Sequence, residues 1–289
     1  MDEAVPIREA REDQPLVDQA PYGSGIADSI SDTMENASVT RHSLAINGAT
    51  IPYTAAAGHL VAIDPSSALP AAKIFYVAFT ADDTAPSTRP ITFFYNGGPG
   101  SSSVFLLLGS FGPRRIKTAM PSFTPPAPYT LEDNQDSLLD HTGLVFLNPV
   151  GTGYSAAIAP NKNGDFWGVD QDARLHRRRF GRFHVAEPVP ESVPGEWLLR
   201  RSDPVLADRL DIESMPLVDP RIRENLVTRY YKSGHMIYLD NESRAEMKKD
   251  LANFYQSATQ PPSNAFAAGH VATAVVQSQY RRRLGKTPY

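Results

Sequence analysis

Short apolar segments bounded by turn residues dominate the first half of the chain and predict β-strands. His42–Ile46 and Ile51–Tyr53 flank Asn47 and Gly48, a dipeptide that is typical of a two-residue hairpin turn. Four further segments share this character: His59–Asp64, Ala72–Thr80, Ile91–Tyr95 and Gly143–Leu147. Continuous apolar runs favour strands buried on both faces, as in an α/β sheet covered by helices.

The C-terminal part predicts two helices around a short extended segment. Asp219 and Pro220 form a good helix start, so we expect a helix to about Tyr231, ended by Gly234. His235–Leu239 predicts a short strand or extended segment. Ser243 and Glu246 form a capping box that opens a second helix to about Tyr255.

Charge divides the chain into two unequal halves. Residues 1–170 hold 9 Lys and Arg against 18 Asp and Glu, whereas residues 171–289 hold 19 against 14. Most of the difference comes from Arg174–Arg201, where seven arginines and three prolines follow no apolar period. We interpret 174–210 as an irregular linker, with an anion-binding or nucleic-acid-binding patch as the alternative. Residues 1–40, rich in Ser, Asp, Glu and Pro, predict a mobile arm.

Composition excludes several classes of function. The chain has no cysteine, which excludes disulfides, a thiol nucleophile and Cys-ligated metal sites, and a net charge of −4 gives no reason to expect nucleic acid. No apolar run is long enough to span a membrane, and the acidic start does not resemble an export signal. We expect no metal and no cofactor.

The most specific motif is the turn after Ile91–Tyr95, with the sequence NGGPGSSS over residues 96–103. Three glycines and a proline within five residues make a rigid turn with little side-chain cover. Its backbone N–H groups are free to face an incoming oxygen, as an oxyanion hole requires. The turn lacks the Lys-Ser/Thr ending of a phosphate-binding loop, so the motif does not indicate nucleotide binding. A simple structural turn is the alternative.

Four ordered segments resemble the serine carboxypeptidase family, whose fold is the α/β-hydrolase three-layer sandwich. They are NGGPGSSS at 96–103, NPVGTGYS at 148–155, DQDA at 170–173 and SGHM at 233–236. The resemblance covers roughly residues 40–173 and 211–258. It implies that 41–173 and 211–289 are the N-terminal and C-terminal parts of one such domain.

The resemblance also assigns roles to individual residues. Gly98 would donate its backbone N–H to the oxyanion, while Asn96 and Gly97 would bind the carboxylate at the C-terminus of a peptide substrate. His235 would be the general base that takes the proton of the serine and returns it to the leaving amine.

The nucleophile is the part of the family pattern that this sequence lacks. No Gly-x-Ser-x-Gly elbow occurs in the chain, and only 62 positions separate Ala173 from His235, so the fold is expected to be incomplete, without its central strands and cap. Ser192 is a candidate substitute for the nucleophile, although Pro190 and Pro194 stand where the elbow needs glycine. Asp203 is the substitute for the triad acid.

The sequence therefore leads to two hypotheses about function. One is a serine-type carboxypeptidase-like hydrolase that releases C-terminal residues through an acyl-enzyme, with acyl transfer as a related activity on the same fold. The other is a truncated, non-catalytic family member that at most binds peptide carboxylates. The sequence does not indicate an oligomeric state, and although family members usually work outside the cytoplasm, it does not indicate a compartment.

Overall fold

The computed structural model describes residues 11–64, 67–83, 89–96, 100–119, 124, 126–167, 227–233, 236–259 and 274–278. The strands of this part are, in chain order, β1 (Arg11–Glu12), β2 (Ala37–Ile46), β3 (Ala49–Ile63), β4 (Pro70–Ala81), β5 (Ile91–Tyr95), β6 (Arg114–Ile116), β7 (Leu131–Asp133), β8 (Gly143–Leu147), β9 (Ala156–Ala157), β10 (Val227–Tyr231) and β11 (Ala274–Ser278). The helices are α1 (Val104–Gly109) and α2 (Asn241–Thr259), with 3₁₀ turns at Asn163–Phe166 and Ile237–Leu239.

A mixed seven-stranded sheet forms the centre of the described structure, in the order β1-β2-β3-β4-β8-β5, with β9 also paired to β4. Neighbours from β2 to β8 are antiparallel, whereas β5 and β8 are parallel. Two small sheets, β6 with β7 and β10 with β11, lie beside it. The described architecture is thus a mixed sheet with few helices.

The hairpin predicted at Asn47-Gly48 is confirmed, since β2 and β3 pair directly across these two residues. Asn47 has φ of 50° and Gly48 φ of 79°, the left-handed pair that such a turn requires. The separate strand expected at His59–Asp64 is wrong: β3 runs without a break from Ala49 to Ile63. Residues 54–57 are Thr and Ala and give no local strand signal, but hydrogen bonding to β2 and β4 keeps them extended.

Burial on both faces is confirmed for β8, whose five residues are all buried. β5 differs, because all five of its residues are only half-buried. β4 lies between these cases, with consecutive buried residues at Ala71–Ile74 and half-buried residues after them.

The C-terminal elements correct two predictions. Val227–Tyr231 is strand β10, parallel to β11, and not the end of a helix; residues 219–226 and Gly234 lie outside the described residues. Ile237–Leu239 is a 3₁₀ turn and not a strand. Local signals favoured a helix before Tyr231, but pairing with a segment more than forty residues further along the chain decides the conformation.

The second predicted helix is confirmed as α2, with a different cap. The carboxylate Oδ1 of Asp240 accepts the N–H of Ser243 at 2.8 Å, so Asp240 is the capping residue. Ser243 is instead buried inside the first turn. No helix in the described part of the chain is long and apolar enough to cross a membrane.

One core unites the two ends of the chain. Its largest buried cluster joins side chains from the hairpin, the 138–146 region and the C-terminal elements: Leu44, Ile46, Tyr53, Ala81, Phe111, Leu138, Leu139, Leu144, Phe146, Tyr231, Ile237, Met247, Leu251 and Tyr255. Because α2 and β10 contribute to the same apolar cluster as β2 and β8, the C-terminal part packs directly against the N-terminal part.

Residues 13–36, which we name the N-terminal strap, differ from the mobile arm that composition predicts. The strap contacts the sheet and the segment after β9: the Ile30 N–H donates to the Ala157 carbonyl at 2.8 Å, and the Ala159 N–H donates to the Ile30 carbonyl at 2.8 Å. A buried Ile30 side chain joins a small apolar cluster with Val61 and Ile158. Polar composition did not predict these contacts, because they need the sheet as a partner.

Candidate active site

The two sequence motifs meet at one edge of the sheet. β5 and β8 are parallel neighbours, and their last residues, Tyr95 and Leu147, are paired. Asn96 and Asn148 follow these residues directly, so both motifs leave the carboxyl ends of adjacent parallel strands. This is the position at which open α/β sheets bind their ligands.

Ser103 joins the two motifs. Its N–H donates to Asn148 Oδ1 at 2.9 Å, and its Oγ accepts the Asn96 N–H at 2.9 Å. The same hydroxyl donates to the Leu147 carbonyl. Ser103 is only 2% exposed, and its hydroxyl is fully engaged, so it braces the turn and is not a nucleophile.

The second motif, residues 148–155, forms a loop that we name the signature loop. Gly153 has φ of 51°, and a Cβ there would lie 2.3 Å from Asn148 Nδ2 and 3.1 Å from Ser102 Cβ. Only a residue without a side chain allows this approach. The sequence of the signature loop therefore sets how closely it packs against the 96–103 turn.

Ser155 has a structural role. It is completely buried, and its Oγ accepts the N–H of Phe75 on β4 at 2.8 Å. At the start of the loop, the indole N–H of Trp167 donates to the Val150 carbonyl at 3.2 Å. Both contacts fix the backbone of the signature loop.

The segment that follows His235 packs against the last residue of α1, the helix that begins after the 96–103 turn. α1 begins directly after this turn, and its last residue, Gly109, lies against Tyr238 and Leu239. A Cβ at Gly109 would be 2.8 Å from Leu239 Cδ2, so this contact is tight. The tertiary structure thus brings Ile237–Leu239, two residues after His235, to the helix that carries the candidate oxyanion turn.

The side chains of Arg244 and Tyr255 form polar contacts that hold α2 against the sheet and the 3₁₀ turn. Arg244 is 2% exposed and donates to Asp136 Oδ2 through Nε at 2.8 Å, to the Tyr238 carbonyl and to Asn241 Oδ1. Further along α2, the Tyr255 hydroxyl lies 2.6 Å from Thr92 Oγ1 on β5. α2 is therefore tied both to the 3₁₀ turn after His235 and to the strand that precedes Asn96.

Most predicted site residues lie outside the described residues. The structure describes Asn96, which is half-buried at the end of β5. Gly97, Gly98, Ser192, Asp203 and His235 are among the residues that it does not describe. Their roles remain predictions. The structure adds the arrangement of the described segments that flank Gly97, Gly98 and His235.

A buried polar cluster that the sequence did not single out lies under the signature loop. We name it the His59 cluster; it consists of Asp18, Tyr22, Asp32, His59 and Lys73. Lys73 is completely buried and pairs with Asp18 Oδ2 at 2.9 Å and with Asp32. His59 is 4% exposed, and its Nε2 lies 3.0 Å from the Tyr154 carbonyl in the signature loop.

Burial and charge shift the pKa values in this cluster. Burial, reinforced by the Lys73 charge, lowers the pKa of His59 to about 4, despite the opposing effects of the Tyr154 carbonyl and the two carboxylates. Burial alone would raise the pKa of Asp18, but hydrogen bonds from the Ala20 N–H, Tyr22 and Lys73 lower it to about 2. His59 is therefore neutral and Asp18 ionised at neutral pH.

Neither His59 nor Asn148 was predicted from the sequence as an individual site residue. His59 stands in an apolar segment, and nothing local distinguishes it from an ordinary core histidine. Asn148 lies in one of the motifs on which the family resemblance rests, but its hydrogen bond to Ser103 is a tertiary contact that the motif does not show. Among the described residues, no group of three or more His, Asp or Glu side chains is arranged to hold a metal ion.

Comparison with known proteins supports the resemblance. Residues 48–174 match the model of the serine carboxypeptidase family. Two Arabidopsis thaliana proteins are similar to part of the chain: serine carboxypeptidase-like 33, 36% identical over 85 residues, and serine carboxypeptidase-like 36, 32% identical over 99 residues. These alignments cover 29% and 33% of this chain but only 16% and 19% of the two relatives.

The predicted resemblance to the serine carboxypeptidase family is therefore confirmed over residues 48–174. This family match implies the α/β-hydrolase fold, and the mixed sheet with few helices is consistent with an incomplete form of it. The matched region contains both motifs that meet at the edge of β5 and β8.

Proposed function

We propose that this chain carries a serine carboxypeptidase-like site, which recognises the C-terminal carboxylate of a peptide and hydrolyses the bond next to it. The observation that carries the proposal is the meeting of three motif-bearing segments. The 96–103 turn and the signature loop are hydrogen-bonded through Ser103 and Asn148, and the residues after His235 pack on α1. Residues 41–173 and 211–289 would thus be two parts of one domain, which the shared core supports.

In this proposal the residues keep the roles that the family implies. A serine Oγ attacks the peptide carbonyl carbon while His235 takes its proton, and Gly98 donates its N–H to the oxyanion. The C–N bond then breaks, His235 protonates the leaving amine, and water hydrolyses the acyl-enzyme. Asn96 and Gly97 bind the carboxylate of the leaving residue, which restricts cleavage to the C-terminal end.

The second candidate is a non-catalytic protein that binds peptide carboxylates through Asn96. It is favoured by the sequence itself, which contains no Gly-x-Ser-x-Gly elbow. Two serines near the candidate site, Ser103 and Ser155, use their hydroxyls in structural hydrogen bonds. Ser192 and Asp203 would have to replace the nucleophile and the triad acid, because the central part of the domain would be missing.

A fluorophosphonate probe separates the two candidates. For an enzyme, we expect covalent labelling at Ser192, found by mass mapping, that is lost in His235→Ala, together with release of C-terminal residues from a blocked peptide. Ser43→Ala, at an exposed serine on β2, serves as the matched serine control and should leave labelling unchanged. Labelling that persists in His235→Ala, or no labelling in a sample folded by circular dichroism, contradicts the hydrolase.

Carboxylate recognition is tested independently of catalysis. Calorimetric titration with a peptide acid and the same peptide as its C-terminal amide should show binding of the acid only, weakened at least tenfold in Asn96→Ala. Asn253→Ala, on the exposed face of α2, is the matched control and should bind normally. Equal binding of acid and amide contradicts both candidates.

A further inference from the structure

The N-terminal strap and the signature loop are joined through buried titratable groups that the proposed function does not use. Tyr22 on the strap donates its hydroxyl proton to Asp18 Oδ2 at 2.7 Å. Its oxygen lies 3.1 Å from His59 Nε2, which also contacts the Tyr154 carbonyl at 3.0 Å. Since both of these oxygens can only accept here, His59 carries its proton on Nε2.

The other ring nitrogen of His59 has no hydrogen-bond partner among the described residues. Nδ1 is buried and lies 3.5 Å from Asp18 Oδ2, beyond a good hydrogen bond. The groups that face His59 come from three elements: Asp18, Tyr22 and Asp32 from the strap, Lys73 and Phe75 from β4, and the Tyr154 carbonyl from the signature loop. A proton added at Nδ1 would make His59 a second buried cation beside Lys73. The facing oxygen, Asp18 Oδ2, is already paired with Lys73 and hydrogen-bonded by Tyr22, and it lies too far from Nδ1 for a good hydrogen bond.

Backbone hydrogen bonds extend this junction along the strap. The Asn163 N–H donates to the Asp28 carbonyl at 3.0 Å, and the Gly164 N–H donates to the Ile26 carbonyl at 2.9 Å. The Asn163 side-chain amide donates to the carbonyls of Gly23 and Gly25. Strap, signature loop and the segment after it therefore form one continuous contact, with the His59 cluster at its centre.

We propose that the His59 cluster makes the N-terminal strap a pH-sensitive latch, closed on the signature loop when His59 is neutral and opened when His59 is protonated. The latch goes beyond the proposed function, because it acts on the strap whether or not the chain is catalytic. Opening exposes His59 to water, where the second positive charge is tolerated. The Tyr154 carbonyl of the signature loop then loses its hydrogen bond from His59, and the loop loses its contact with the strap.

The size of the effect follows from proton linkage. Burial lowers the pKa of His59 from 6.5 to about 4, so acid favours the open state, in which the histidine titrates normally. Between pH 7.5 and pH 4.5 the open-to-closed ratio should rise about 70-fold from His59 alone. Asp18, with a pKa of about 2, stays ionised throughout this range.

Hydrogen exchange of the full-length chain, followed by NMR and corrected for intrinsic exchange rates, measures this ratio. The reporters are the amides of Ile30, Asn163 and Gly164, whose hydrogen bonds close the latch. We expect them to be less protected than the amides of β8 at both pH values, and their protection to fall about 70-fold at pH 4.5. His59→Gln keeps a donor toward Tyr154 but cannot titrate, and should limit the fall to about threefold.

His42→Gln is the matched control, because His42 is exposed on β2 and should leave the wild-type response intact. Three outcomes overturn the latch. Equal protection of the strap and β8 amides would mean that the strap opens only when the whole chain unfolds. An unchanged acid response in His59→Gln, or no response in the wild-type chain, would mean that His59 does not control it.

Discussion

Lys73 and Arg244 are both buried cations that tie a remote segment of the chain to the central sheet, and they do so in different ways. Lys73 holds the N-terminal strap through Asp18 and Asp32. Arg244 holds the start of α2 through Asp136, the Tyr238 carbonyl and Asn241. The Lys73 contact depends on the attraction between point charges. The Arg244 contact depends on the planar guanidinium group, whose N–H donors have fixed directions.

The difference lies in what surrounds each cation. Lys73 shares its cluster with a buried histidine that titrates in mild acid, whereas the three partners of Arg244 are a carboxylate, an amide and a carbonyl. In the proposed latch the strap is the pH-sensitive attachment, whereas no histidine is among the described hydrogen-bond partners of Arg244 at the start of α2. The attachment of α2 serves the segment after His235, where a fixed position matters most for the proposed site.

Lys73→Met should have the largest effect, lowering the free energy of unfolding by about 3 kcal/mol, because it leaves two carboxylates without their buried partner. Urea unfolding followed by circular dichroism measures the change. Lys117→Met, at an exposed lysine, is the matched control and should stay within about 0.5 kcal/mol. A small effect of Lys73→Met would mean that the strap contributes little to the folded state.

Acidification should have the next largest effect. The neutral form of His59 is favoured by folding, so its contribution is complete above pH 6.5 and is lost as the pH falls toward about 4. Between pH 7 and pH 4.5 we expect about 2 kcal/mol of this loss in urea unfolding of the wild-type chain. In His59→Gln, the stability lost on acidification should be smaller by about this amount, whereas in Arg244→Lys it should be the same as in the wild-type chain. If Arg244→Lys reduced the loss and His59→Gln did not, α2 and not the strap would be the pH-sensitive attachment.

Arg244→Lys should have the smallest effect, about 1.5 kcal/mol, because lysine keeps the charge but cannot reach all three acceptors of the guanidinium. Arg114→Lys tests the same exchange at an exposed pair with Asp133 and should change stability by less than about 0.5 kcal/mol. Equal losses at the two positions would show that the fork geometry of Arg244 has no special value.

Much of the central fold was predictable from the sequence because its signals are local. The Asn47-Gly48 turn requires left-handed backbone, and an apolar run such as Gly143–Leu147, which is short and bounded by turn residues, favours a buried strand. α2 was predictable for the same reason, although its cap is Asp240 and not Ser243. The β10 strand was not, because its partner β11 lies far along the chain.

The candidate site divides in the same way. The glycines of the 96–103 turn and of the signature loop identify the two motifs in the sequence, because positions where two backbones approach closely require glycine. Nothing local shows that Ser103 bonds Asn148, that Ile237–Leu239 pack against α1, or that the strap covers the His59 cluster.

The sequence by itself determined the strands next to the motifs, the hairpin turn and the family resemblance, because each depends on residues close together in the chain. Only the tertiary structure decided which buried polar groups meet. Lys73, His59 and Asp18 lie 14 to 55 positions apart, and their ionisation depends on shared burial and mutual charge. Desolvation and Coulomb interactions act through space, so no pattern along the chain contains them.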